Sequence, residues 1–499
     1  MIKKIKYFVL FLIIIIAGCS KDDTNNTSEV PIWHGFNLLG KYTVEWSNTG
    51  YSESDFELMQ TFGFNYARLP IDYRTYTIDG NWLVFDENGL ANIDQAVEWG
   101  KKYGIHICIS LHRAPGFCVN PPSEPLSTEE NRDLWTDTIA QRVFYRHWEM
   151  FASRYKNIPS SDLSFNLVNE PFNVSAETYV QIVKNCISAI RKYNSERIIV
   201  VDGLGYAREP VYELTGENII QSFHMYDPLS VTHYKASWIS GSGSWPVPVW
   251  PLHPFSKYLY GSYKQQYKSP LIISGNFQAK TRFTIRVQQV SVLSNLVAKD
   301  DRGTELLNKR FEPADGEGEW TEVVETEWGY QNIYNKDYSF DLINNTDSVI
   351  IENTIGDWLI ISSISIKPET DTIVLNPMYT DWGAMQNELV VHDDGAVTDA
   401  DGENKKFTLI DSWIEFSESK SVNIIVGEWG VYNQTPHDVT LTFMEEQLQI
   451  YKKYNVSWSL WNFTGGFGII NSDRKDVNYE VYDDKKLDRT MLTLLQKYN

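Results

Sequence analysis

Eight short apolar runs alternate with amphipathic helical stretches along this chain, the pattern of a parallel sheet covered on both faces. The runs lie at 33–37, 65–70, 105–112, 163–170, 197–202, 219–226, 423–428 and 456–462. Between the first two, Ser52 with Asp55 three residues on predicts a helix start, and Gly63 predicts its end; Gly104 closes a second helix. Eight strand–helix units predict an α/β fold, a closed (β/α)8 TIM barrel, whose chemistry belongs at the C-terminal ends of the strands. Each run ends in a polar or aromatic group suited to that role.

Two of the runs end in glutamate, Glu170 before Pro171 and Glu428 before Trp429. Two carboxyls are what glycosidic bond cleavage requires. One protonates the leaving oxygen while the other attacks the anomeric carbon or activates a water, and their separation sets the stereochemical outcome. Far apart in sequence, they can face each other only in a closed fold. Arg68, His112, Asn169, His224, Tyr226 and Trp461 fall at the ends of runs two, three, four, six, six and eight.

Together with the two glutamates, this ordered set resembles glycoside hydrolase family 5, the retaining cellulase-like (β/α)8 enzymes. The resemblance covers residue 32 to about 260 and again about 372 to 499. It implies Glu170 as acid/base and Glu428 as nucleophile, with Arg68 and Tyr226 donating to Glu428. It also implies Asn169 on the sugar 2-hydroxyl, His112 and His224 completing the polar ring, and Trp461 as a floor for the pyranose. The physics agrees: the acid needs an anion or an apolar wall to keep its proton, and the nucleophile needs donors that keep it ionised. Taken singly, a buried arginine or tryptophan at a strand end is as often structural; taken together, the eight positions favour a site. His34, His106 and His147 match no motif position and read as packing or surface histidines.

With 44 basic against 65 acidic residues, the formal charge is −21, which argues against nucleic acid and for a neutral polysaccharide. No metal or cofactor is expected, because the spacings for metal ligands and phosphate-cradling loops are missing. Asp393, Asp394, Asp399, Asp401 and Glu403 crowd one stretch without the full calcium-loop pattern and read as a solvated acidic loop. Aromatic residues make up 14%, with 17 Trp, more than packing needs and suited to a sugar surface.

Residues 1–18 read as a targeting segment: Lys3, Lys4 and Lys6, an apolar run too short to span a bilayer, then Ala17-Gly18-Cys19. This resembles a bacterial lipoprotein signal with Cys19 as the lipidation site. Residues 19–31 would form a polar tether, and Ser20-Lys21-Asp22-Asp23 resembles a surface-export tag. The expectation is a monomer held to the outer membrane, at the cell surface, by its lipid. Cys108, Cys118 and Cys186 are then an odd set that cannot all pair. Cys108 and Cys186 read as buried, and Cys118 as a loop thiol.

The catalytic parts are expected at 32–268 and 369–499. Between them, 269–368 changes to short β runs and predicts an inserted antiparallel β-sandwich. Its closing run resembles that of carbohydrate-binding modules. Trp320, Trp328, Tyr330 and Tyr334 read as sandwich core or barrel interface before a binding platform. The expected activity is retaining hydrolysis of a β-linked glucan, β-1,4 or β-1,3. The stretch Leu111-His112-Arg113-Ala114-Pro115-Gly116 resembles the glucanase branch more than the mannanase one. The alternatives are a mannanase or other β-glycan hydrolase, or a non-catalytic surface glycan-binding protein.

Overall fold

The computed structural model describes residues 31–79, 81–120, 131–368, 372–402 and 407–499. The expected signal segment, Cys19, all of the expected tether except Pro31, and Glu403 lie outside them. Among the described residues no helix is long and apolar enough to cross a membrane.

Eight parallel strands close into a barrel in chain order: His34–Asn37, Tyr66–Asp72, His106–Ala114, Leu163–Asn166, Ile198–Asp202, Ile220–Met225, Ile424–Trp429 and Ser457–Leu460. The last pairs back onto the first, with Phe36 beside Leu460 on one side and Ala67 on the other. Strand two is buried along its whole length, Tyr66 to Asp72, and so is strand three, as a sheet covered on both faces requires. Gly35 has no room for a side chain, since a Cβ there would sit 1.7 Å from the Tyr66 carbonyl oxygen.

Helices Glu53–Thr61, Glu87–Tyr103, Thr138–Arg154 and Ala176–Arg191 follow the first four strands, Thr408–Lys420 precedes the seventh, and His437–Lys453 and Arg489–Lys497 follow the seventh and eighth. Asp86, Asp137 and Ser175 cap three of them by accepting backbone N–H bonds. Ser52 occupies the expected cap position, but its hydroxyl pairs with Ser54 and the capping box does not form. Gly63 does end that helix, at φ 93°. After strand five there are only the short turns Leu204–Ala207 and Tyr212–Leu214.

Strand four stops at Asn166, not at Glu170. The N–H of Leu167 bonds to Val200 and that of Asn169 to Leu111, so the chain turns across its neighbours, and Glu170 takes a left-handed φ of 48°. That turn lifts Glu170 over the barrel mouth.

Between strands six and seven lie two six-stranded sheets. In one, Arg282–Val290 pairs with Ile333–Asp341 and Trp358–Lys367; in the other, Thr346–Gly356 pairs with Leu271–Phe277 and Ser294–Asp300. Phe283, Ile285 and Ile364 from the first sheet and Ile273, Leu296 and Ile351 from the second share one apolar core, separate from that of the barrel. The strands begin at Leu252 and end at Asp399, outside the expected 269–368, because Leu252–Ser256, Tyr258–Tyr260, Ile373–Tyr379, Leu389–Val391 and Val397–Asp399 complete both sheets. Two of these pairings, Leu252–Ser256 with Ile373–Tyr379 and Leu271–Phe277 with Leu389–Val391, are parallel. The expected acidic loop partly belongs here: Asp399 ends a strand and is buried.

Tyr334 is core and Trp320 packs against it, while Trp328 stands 71% exposed on a hairpin, so the four expected aromatics do not form one platform. The chain leaves and rejoins the barrel at one place. Trp250 packs on Phe407 and on Phe443 of helix His437–Lys453, and its indole N–H donates to Glu446.

Candidate active site

The barrel mouth is organised by one guanidinium. Arg68, on strand two, is fully buried, and its N–H groups reach four side chains. Nη1 donates to Glu428 Oε1 at 2.6 Å and to Asn37 Oδ1 at 2.9 Å; Nη2 donates to Asn169 at 2.7 Å; Nε and Nη2 share Asn166 Oδ1 at 3.0 and 2.9 Å. A planar fork of fixed donors suits this task, and a lysine could not reproduce it. Burial opposes the charge of Arg68, yet Glu428 and Asp202 outweigh it and hold the group protonated.

Glu428, at the end of strand seven, lies among these donors. Tyr226 OH donates to its Oε2 at 3.3 Å, and His224 Nδ1 lies 3.6 Å from the same oxygen. Burial pushes its carboxyl above the usual range, while His224 and Arg68 pull it back. Glu170 is tied to the same histidine: His224 Nδ1 and Glu170 Oε1 share a hydrogen bond at 2.6 Å. Burial lowers the His224 pKa, but Glu428, Asp202 and Glu170 outweigh it, so the imidazole sits above its ordinary value. The Glu170 side chain is 16% exposed against 5% for Glu428, so one carboxyl opens toward solvent and the other lies under it.

All the expected positions except Cys19 thus lie at the barrel mouth. His112 and Trp461 form a second group with an unforeseen member, Tyr42, whose ring lies 4.5 Å from His112 and 5.5 Å from Trp461. Burial and the charges of Arg68 and His224 keep His112 neutral. Burial raises the Tyr42 and Tyr226 hydroxyls, with Glu428 adding to both, so each remains a donor.

Asp202 was the larger omission. It ends strand five, takes the Glu170 backbone N–H at 3.0 Å and the Asn166 amide at 2.9 Å, and lies 3.5 Å from His224 Nε2. Asn37, Asn166 and Asp202 are all polar residues within the eight runs, so the available clue was the inward side of each strand end.

Cys108 and Cys186 are buried and Cys118 is partly so; all three are free. Cys118 donates to the Asn120 carbonyl, and burial lifts its thiol to about 11. His106 and His147 are buried in hydrogen bonds to Ser161 and Ser164, and to Tyr76 and Trp82. Burial holds them neutral, at about 3 and about 4.

Glu170, His224 and Glu428 present ligand atoms all within 4.8 Å of one another, close enough to chelate a cation. Arg68 already occupies one Glu428 oxygen, and a second cation beside a buried guanidinium would be repelled. The arrangement suits proton transfer and nucleophilic attack: two close carboxyls, one paired with a cation and the other with an imidazole.

Known proteins resemble parts of this chain. Over 214 residues the chain is 30% identical to Endoglucanase C of Acetivibrio thermocellus, an alignment that takes in 41% of this chain and 60% of that protein. It is also 30% identical over 217 residues to Cellodextrinase A of Ruminococcus flavefaciens, over 41% and 61% of the two chains. The chain thus spans about three fifths of these relatives. A solved glycoside hydrolase shares the fold, with a TM-score of 0.59 at 24% identity over 94% of this chain and all of the other. The family profile for Cellulase (glycosyl hydrolase family 5) matches residues 23–280, just over half of the sequence, and the chain belongs to that family.

Proposed function

We propose that this protein is a retaining hydrolase of a β-linked glucan, with Glu428 as nucleophile and Glu170 as acid/base. The observation that carries the reading is the separation of the two carboxyls, whose oxygens lie within 4.8 Å. Retaining pairs stand roughly 5–5.5 Å apart, whereas inverting pairs leave roughly 6.5–9.5 Å for a water. Glu428 would attack the anomeric carbon as Glu170 gives its proton to the departing oxygen. A water would then cleave the ester, returning its proton to Glu170. Arg68 and Tyr226 hold the attacking carboxylate, and Asn169 offers a buried amide N–H without a partner, suited to the sugar 2-hydroxyl. Trp461 and Tyr42 offer rings on which C–H faces of a pyranose can stack.

The names of the relatives and the residues 111–116 around His112 support glucan over mannan, with β-1,4 or β-1,3 linkage. The two sheets from Leu252 to Asp399 are proposed as an inserted module beside the cleft. Cys19 is proposed as the lipid anchor of a monomer at the outer membrane surface. If Cys19→Ala leaves membrane retention unchanged, that assignment fails.

The test of the mechanism is product analysis on β-glucans and mannan with NMR of the first-formed anomer. Retention is expected, and inversion refutes the proposal. Glu428→Ala and Glu170→Ala should each lose most of kcat on unactivated substrate. For Glu170→Ala alone, azide should restore part of it on a substrate with an activated leaving group.

A further inference from the structure

The turn after strand five holds three consecutive residues in the left-handed region: Gly205 at φ 60°, Tyr206 at 65° and Ala207 at 59°. Glycine adopts this readily, but a bulky aromatic residue there is an outlier. Such strain persists only where surrounding structure over-determines it, and it concentrates at functional sites. Here the turn is closed from several sides. Leu204 and Glu209 exchange backbone hydrogen bonds at 2.8 and 3.0 Å, the Tyr206 N–H donates to the Pro171 carbonyl at 3.2 Å, and Trp413 donates to the Arg208 carbonyl.

The result is a displayed ring. Tyr206 is 48% exposed and stacks on Phe172 at 4.6 Å and 11° between planes; Phe172 in turn rests on Phe117 at 5.5 Å. Phe172 follows Glu170 by two residues, and Tyr206 follows Asp202, which holds the Glu170 backbone, by four. This pair is therefore built onto the carboxyl proposed to protonate the leaving oxygen, whereas Trp461, Tyr42 and His112 form a separate aromatic group.

We infer that Tyr206, backed by Phe172, is the binding surface for the departing sugar and for an acceptor sugar that replaces it. The inference rests on Glu170 being the acid/base. In the reverse half-reaction an acceptor hydroxyl would attack the anomeric carbon of the glycosyl ester on Glu428. The C–O bond to Glu428 breaks, a new glycosidic C–O bond forms, and the hydroxyl proton goes to Glu170. Solvent water competes for the same ester, so a stacked acceptor raises the share of transfer.

Tyr206→Gly separates this role from a structural one, because glycine suits the backbone and removes only the ring. The substrate is cellotetraose or laminaritetraose, whichever the wild type cleaves faster. On it, kcat/KM should fall about tenfold, the size of one aromatic stacking contact. On dinitrophenyl β-cellobioside, whose kcat reports the step after departure, kcat should change less than twofold, and Tm should not fall. With added cellobiose, transfer products should drop in the same proportion, while Tyr206→Phe keeps wild-type values. An active enzyme whose Tyr206→Gly variant cleaves the tetrasaccharide within twofold of wild type overturns the inference, as does equal loss on both substrates. A wild type inert on every glucan overturns the hydrolase reading, and this inference with it.

Discussion

Replacing Arg68 tests how far one guanidinium holds the site together. In Arg68→Lys an ammonium can remain between Glu428 and Asn37, the two acceptors now served by Nη1, but it cannot also reach Asn166 and Asn169. Asn166 Oδ1 keeps a 2.8 Å bond from Ser110, so the stranded acceptor is Asn169 Oδ1, fully buried. One buried acceptor left without a donor costs about 1–3 kcal/mol. Asn169 then loses the bond that orients its free amide, so kcat/KM should fall by about 10–100-fold, equivalent to roughly 1.4–2.8 kcal/mol of transition-state binding.

Arg68→Met goes further and leaves Glu428 with no cation but His224. Breaking a buried pair from one side costs about 3–5 kcal/mol. Without Arg68 the Glu428 pKa rises further, since Arg68 is one of the two groups pulling it back. A nucleophile must be ionised, so the acid limb of the pH–rate profile should move up by at least about one unit, each unit being roughly 1.4 kcal/mol of lost interaction. The assay is kcat/KM against pH on a soluble β-glucan, with thermal melts of all three proteins. An Arg68→Met variant with an unmoved acid limb and a wild-type melt would refute the assignment of Arg68 as counter-ion. An Arg68→Lys variant of full activity would show that charge suffices without the fork.

His224 gives a stability prediction with a fixed sign. Its folded pKa lies above the unfolded value near 6.5, so its contribution is full below that value and lost as pH rises through the folded one. Melts above about pH 6.5 should therefore show a decline that His224→Asn removes; an identical decline in the variant would exclude His224 as its source. Asp202→Asn must present an N–H where either Glu170 or Asn166 now donates, costing about 1–3 kcal/mol. It also removes one of the charges raising His224, so the same decline should end at lower pH and be smaller; an unchanged curve would reject that coupling. Excising residues 252–399 and joining the ends should leave the barrel folded, with KM raised more on polymer than on a small aryl glycoside. Equal losses on both would mark the sheets as structural. Excising only 269–368 should yield insoluble protein, because it strips the partners from buried Phe255 and Leu375.

The barrel was legible because its strands are short apolar runs alternating with amphipathic helices, and because chemistry on this fold is confined to strand ends. The same logic explains the misses. Asn37, Asn166 and Asp202 stand within the recognised runs, but short polar side chains at strand ends usually satisfy local backbone, and only the closed barrel shows them converging on Arg68 and Glu170. Tyr42 lies in a loop whose path no periodicity records. The limits of the inserted sheets were hidden for another reason. Leu389–Val391 and Val397–Asp399 are three-residue strands, and strands this short are defined by partners distant in sequence. The position of Glu170 beyond strand four depends on a left-handed turn at a residue type that rarely adopts one.

A count of charges ties the site together. Arg68 and His224 face three carboxyls, Glu170, Glu428 and Asp202. Glu428 is held by the guanidinium at 2.6 Å, and Asp202 spends its oxygens on N–H donors from Glu170 and Asn166. Glu170 meets His224 at 2.6 Å and is the carboxyl most open to the cleft. Arg68 and His224, which pull the Glu428 carboxyl down against burial, thus favour the ionised nucleophile that double displacement needs, and the more open carboxyl stands where a leaving oxygen can reach it. The raised imidazole of His224 sits in that short contact, so a basic limb in the pH–rate profile would depend on it. Substituting His224 should therefore move that limb even though no atom of the histidine is transferred to the sugar.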